Sequence, residues 1–205
     1  LAALRAIGFM FVGQVEQANA FASQAVELVN PERSFVRGIA DLVLLHTTAR
    51  LGSPQTAVDL GEEWLRSQYG PPTPRSLRIL LALCSVYYDQ LDLAMLEKTA
   101  QRYRTVAEQV GQRLSTGWAR YGLAFAHYQR NDLPAAQDLF AGLVDHAYEY
   151  HSRTVIDGTT GLALCLQAQG CPTEAHAAVA HLRQFLLQGG AVDAGHFKTV
   201  RLTVD

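Results

Sequence analysis

Five short breaks recur along the chain at almost constant intervals. Gly13 precedes Gln14-Val15-Glu16-Gln17-Ala18, and Gly52 precedes Ser53-Pro54-Gln55-Thr56-Ala57. Leu91 precedes Asp92-Leu93-Ala94-Met95-Leu96, Asn131 precedes Asp132-Leu133-Pro134-Ala135-Ala136, and Gly170 precedes Cys171-Pro172-Thr173-Glu174-Ala175. The break residues stand 39, 39, 40 and 39 positions apart. Apolar residues at helical spacing lead into each break and resume after it, so each copy reads as a helix, a tight turn and a second helix. The clearest copy is Tyr121 to Phe140, with a polar break at Arg130-Asn131-Asp132. Such a unit cannot bury its apolar face alone and must stack on its neighbours. The expected fold is therefore all-α, a right-handed superhelical solenoid of about five antiparallel helix pairs.

The pairs are expected at about 1–30, 34–69, 75–111, 113–149 and 152–188, within one repeat domain over 1–190. Asn30-Pro31 ends the first pair, because proline cannot continue a helix. Ser53-Pro54 reads as a cap followed by proline at the first helical position, and Asp92 as the N-cap of the third pair's second helix. Tyr69-Gly70-Pro71-Pro72-Thr73-Pro74 is expected to be an extended inter-repeat loop, each proline biasing the residue before it away from helix. Gly189-Gly190 reads as a helix stop. Residues 191–205 break the pattern, as a C-terminal tail or the start of a further repeat. The chain opens on Leu-Ala-Ala-Leu, in the middle of the pattern, and is expected to be a segment of something larger.

Within each unit a residue in the first helix and one opening the second are mostly small: Ala6, Leu45, Cys84, Ala124 and Ala163, then Ala18, Ala57, Leu96, Ala136 and Ala175. This pattern resembles the tetratricopeptide repeat, although that family's period is about 34 residues. Leu45 and Leu96 depart from the small-residue rule, and wider packing is expected there. Longer units of this kind look like the superhelical sensor domain of MalT-type transcriptional activators of the LuxR family. The resemblance covers residues 1 to 188. It implies a bacterial, signal-transducing regulator in which this array binds a small-molecule inducer or a protein partner. ATPase and DNA-binding modules of the same full-length protein would then receive the signal.

Composition narrows the function classes. A formal charge of −2 and a pI near 6.4 leave no basic footprint for direct nucleic-acid binding. No apolar run is long enough for a membrane span, and the start lacks the layout of a signal peptide. Three cysteines, two of them inside apolar helical runs, do not make a disulfide framework, which points to a reducing, cytoplasmic setting. No glycine-rich segment ends in Gly-Lys-Ser/Thr, and no Gly-x-Ser-x-Gly elbow is present. His176 and His181 lie five apart on one helix and do not share a face. His146, Glu149 and His151 read as a polar helix end, with His146 favoured there by the helix dipole. The expectation is a protein with no catalytic role, cofactor or metal.

In the tetratricopeptide family the first helix of each unit faces the groove, at ten, six and three residues before the break. That resemblance assigns Leu42, His46 and Ala49 in the second unit and Leu81, Ser85 and Tyr88 in the third. In the fourth it assigns Tyr121, Phe125 and Tyr128, with Trp118 a turn earlier; in the fifth, Thr160, Leu164 and Gln167, with Asp157 a turn earlier. The candidate ligand or partner groove is accordingly His46, Arg78, Tyr88, Trp118, Tyr121, Tyr128, Asp157 and Gln167. Aromatic side chains anchor binding surfaces disproportionately, while inter-unit core packing is the competing role for the same rings, above all for Phe125. The first unit offers only Ala3, Ile7 and Met10, so the Lys and Asn with which co-chaperone members of the family clamp a peptide carboxylate are missing.

Overall fold

The computed structural model describes residues 1–188, whose regular elements are all helices, with no strand among them. In chain order the helices are α1 (Ala2–Phe11), α2 (Val15–Leu28), α3 (Ser34–Arg50), α4 (Pro54–Arg66), α5 (Pro74–Asp89) and α6 (Leu93–Val110). Then come α7 (Arg113–Gln129), α8 (Leu133–Asp145), a 3-10 turn over Ala147–Glu149, α9 (Ser152–Ala168) and α10 (Pro172–Gln188). The expected tail or further repeat over 191–205 lies outside the described residues. None of the described helices is long and apolar enough to cross a membrane.

Each of the five break residues has a positive φ: Gly13 77°, Gly52 97°, Leu91 55°, Asn131 62° and Gly170 75°. Each turn is closed by the same two hydrogen bonds. The break residue's N–H reaches the carbonyl three residues back, and the next N–H reaches the carbonyl five back, all at 2.9–3.2 Å. This is the Schellman closure, which needs a left-handed residue just past the helix end. Glycine meets that need freely; Asn131 and Leu91 meet it at a steric cost. At Asn131 the turn gains a further contact, His127 Nδ1 to Asp132 Oδ2 at 2.8 Å.

The chain forms two compact units, the first over Leu1–Thr116 and the second beginning at Gly117 within α7. In the first, α1 packs on α2, α3 on α4 and α5 on α6. The first helices also pack side by side, α1 on α3 and α3 on α5, with α2 against α3 and α4 against α5. Small residues set the approach: Ala3, Ala25 and Ala40 cluster with Ile39, and Ala6, Ala18 and Ala22 with Val43. Leu45 and Leu96, expected to force wider packing, are fully buried. Leu45 is accommodated by Gly61, where an added Cβ would lie 3.2 Å from its Cδ1 and 2.9 Å from Leu83 Cδ2.

In the second unit α8 packs on α9 and α9 on α10. The core joins Ala124, Ala136, Phe140, Leu143 and Cys165. Phe140 and Leu143 press on Gly161 and Gly158, where an added Cβ would stand 2.5 Å and 2.8 Å from them.

The helix ends mostly follow the expected signals, with three differences. Asp92 does cap α6, its Oδ1 accepting from Met95 N at 3.0 Å. Ser53 stands at the N-cap of α4 without a side-chain cap bond, leaving Pro54 to preset the first turn. Pro74 belongs to α5 rather than to the loop, because Thr73 is the extended N-cap and its N–H donates to Ser76 Oγ at 3.0 Å. The fourth pair's second helix stops at Asp145, short of the expected pair end at 149, and a 3-10 turn covers Ala147–Glu149. There the His146 ring bonds the Gly142 carbonyl at 3.2 Å, the acceptor that a continued helix would offer to His146 N–H.

Two substitutions test this framework by chemical denaturation. Leu91→Gly relieves a left-handed leucine that is mostly exposed, and is expected to raise stability by about 1 kcal/mol. Gly161→Ala drives a methyl into the Phe140 ring and is expected to lower stability by about 2 kcal/mol.

Candidate functional site

α3 and α5 lie side by side, and their candidate stripe residues Leu42, His46, Leu81, Ser85 and Tyr88 are all half-buried. Two contacts bound this face. At one end Arg78 lays its guanidinium over the Phe35 ring, 4.3 Å from the centroid, and Nη1 donates to Pro74 O at 3.4 Å. At the other, Arg50 Nε lies 3.6 Å from Asp89 Oδ2. Arg50 and Asp89 occupy the same place relative to Gly52 and Leu91, so the two helices run parallel and in register. Burial lowers the His46 pKa, the Arg50 charge lowers it further, and Asp89 partly offsets both. Burial likewise lowers that of Arg78, against a smaller opposing effect of Tyr103.

The remaining candidates belong to the second unit, where several serve packing. Tyr121 and Tyr128 are half-buried against the Phe140–Leu143 core, with the Tyr121 and Phe140 ring centroids 6.0 Å apart. Trp118 lies 5.8 Å from the His151 ring. Asp157 takes an ion pair from Arg153 Nε at 2.7 Å, one turn earlier on α9. Gln167 is exposed and lines a cleft of about 290 Å³ between α9 and α10, together with Thr160, Leu164, His176 and Val179. Tyr88 sits in the first unit and Trp118, Tyr121 and Tyr128 in the second.

A buried charge network escaped the sequence reading. Asp41 is fully buried on α3 and receives Arg37 Nε at 2.8 Å and Arg75 Nε at 2.5 Å. Arg37 Nη1 also donates to Val29 O at the end of α2, at 2.9 Å. Both guanidinium carbons lie within 6 Å of the Trp64 ring on α4, at 5.9 and 5.8 Å. One carboxylate thus ties α3 to α5, with α2 and α4 drawn in by hydrogen bond and cation–π contact. The available signal was a lone Asp inside Gly38-Ile39-Ala40-Asp41-Leu42-Val43, with Arg37 four residues earlier. An isolated carboxylate in so apolar a run needs a partner.

Burial pushes the Cys84 thiol up to about 12 and Cys165 up to about 11. Both stay protonated at neutral pH, which disfavours them as nucleophiles or metal ligands. Cys171 is half-buried. Among the described residues no three of His, Cys, Asp and Glu are grouped so as to hold a metal ion.

The depressed His46 pKa carries a sign. The unfolded chain binds a proton near the ordinary value of 6.5, and the folded chain only at lower pH. Stability is therefore complete above that value and falls as pH drops through it towards the folded pKa. His46→Gln should flatten this share of the acid-side loss, read as the wild-type minus variant stability between pH 7.5 and 5. No protein-family model, curated protein or solved structure matches the chain.

Proposed function

We propose that the chain is a non-catalytic binding module, a tetratricopeptide-like solenoid of helix pairs that serves as the sensor or scaffold segment of a MalT-like transcriptional regulator. The observation behind this reading is the identical closure of five turns, each with a left-handed residue and the same two hydrogen bonds, at intervals of 39 or 40 residues. In the first unit, helices joined this way lie side by side as α1, α3 and α5.

The occupant favoured by the α3–α5 face is a protein segment. From Arg78 to Asp89 the face extends about 16 Å along α5, at 1.5 Å per residue. An elongated, half-buried strip with an arginine at one end and an Arg–Asp pair at the other suits an extended peptide or a partner helix. Leu42 and Leu81 would supply the apolar contact, and His46 and Ser85 the polar ones. A second reading, a general interaction scaffold outside any regulator, uses the same face. The α9–α10 cleft favours a small inducer instead, since about 290 Å³ lies near the lower bound for ligand pockets.

The test is a thermal-shift screen of the whole chain against short peptides, sugars, nucleotides and amino acids, followed by calorimetry on any hit. Binding to the folded state alone raises the melting temperature. Peptides are expected to shift wild type, and His46→Ala or Arg78→Ala to weaken binding at least about tenfold, equivalent to 1.4 kcal/mol. Hits confined to small molecules, lost in Gln167→Ala, would move the site to the α9–α10 cleft. No hit in any class would remove the binding role altogether.

A further inference from the structure

Two arginines and one carboxylate meet beside Trp64, and their charges do not balance. Arg37 and Arg75 each give Asp41 one Nε–H bond, and both arginine side chains are only 10% exposed, against 0% for Asp41. Two guanidiniums on a single carboxylate leave a surplus of one positive charge. Among the described residues no second carboxylate pairs with them. Glu62, two residues before Trp64 on α4, is taken by Arg102 Nη1 of α6 at 3.0 Å. A charge held this far from water needs a counter-charge close by.

The hydrogen-bonding groups left over around this set are all donors. Arg37 directs Nη1 to Val29 O at 2.9 Å. Arg75 bonds Asp41 through Nε alone, and among the described residues none accepts from its Nη1 or Nη2. Gln68 has a buried Nε2 with no acceptor, while its Oε1 receives the Ser76 hydroxyl. Ser76 follows Arg75 on α5. Gln68 follows Trp64 by four residues, and the Trp64 ring lies 5.8 Å from the Arg75 guanidinium carbon. Gln68 and Arg75 are therefore linked twice, through Ser76 and through Trp64. Guanidinium and amide N–H groups can only donate, so donors in excess and a surplus positive charge suit a ligand that is negative and only accepts.

We infer that Arg75, Arg37 and Gln68 form a binding site for one small monovalent anion beside Trp64. A single negative charge balances the set, whereas a divalent ion would overshoot it. The planar fork of Arg75 matches the edge of a carboxylate or nitrate in bidentate fashion, and a halide by charge. Held among groups from α3, α4 and α5, the ion stabilises the folded chain, because the unfolded chain has no such arrangement to bind it. Neither Arg78 nor His46 takes part, so this site and the α3–α5 peptide face fail independently.

The test is a thermal melt of the whole chain in chloride, nitrate or formate against the bulky morpholinoethanesulfonate, at equal ionic strength so that surface screening is common to all. The melting temperature is expected to rise in at least one small anion, by about 4 °C for each tenfold increase above its dissociation constant. Emission from Trp64, read in a Trp118→Phe background, should change over the same concentrations. Gln68→Glu supplies a tethered carboxylate; it should raise the melting temperature in the bulky anion and cancel the response to the small ones. Arg75→Lys keeps a charge beside Asp41 but loses the fork, and should weaken the anion response about tenfold. A melting temperature that follows ionic strength alone overturns the inference. So does a Gln68→Glu chain that melts lower in the bulky anion, the result expected if water solvates these donors. A small-anion response undiminished in both variants puts the ion elsewhere and overturns it as well.

Discussion

Each helix pair in the described chain depends on a reversal made by a left-handed residue just past the first helix. A helix ending in a Schellman turn satisfies two of its last carbonyls and sends the chain back antiparallel after a single residue. Repeating that closure at the five breaks joins the two helices of each pair without long loops, and Gly111 closes α6 in the same way. Three of the five breaks use glycine, for which the conformation is free. Asn131 tolerates it better than most residues, and the neighbouring His127–Asp132 contact adds support. Leu91 has no such help from its own side chain; the turn there is held by backbone hydrogen bonds and by Asp92 capping the next helix.

Once the chain is reversed, packing distance is decided by pairs of side chains rather than by single small residues. Leu45 and Leu83 both reach the space that a Cβ on Gly61 would fill, so the glycine leaves room for the two leucines. Phe140 and Leu143 are admitted by Gly161 and Gly158 in the same way. Close-packed interiors demand this complementarity, since an unfilled gap and an extra methyl are both costly.

The Asp41 network shows the opposite economy. A carboxylate taken wholly out of water is tolerable only when its partners come with it. Arg37 and Arg75 do so, and the Trp64 face and the Val29 carbonyl spread the surplus positive charge. Such a set is directional in a way that leucines are not, and it makes the relative placement of α3, α4 and α5 specific.

The all-helical character, the positions of the breaks and most helix limits were legible in the letters, because backbone propensities and turn chemistry act over a few residues. Gly13, Gly52 and Gly170 announce a left-handed turn on their own, and Leu91 and Asn131 are found by their spacing from the others. The Asp41 bridge was not legible, since Arg75 lies 34 residues away and only packing of α5 on α3 brings it near. The aromatic candidates were visible as a stripe, yet only tertiary contacts could separate Tyr121 and Tyr128, seated on the Phe140–Leu143 core, from exposed Gln167. A periodic pattern states which side of a helix is apolar. How much of that side stays open is decided by the neighbour, and the neighbour is a property of the fold.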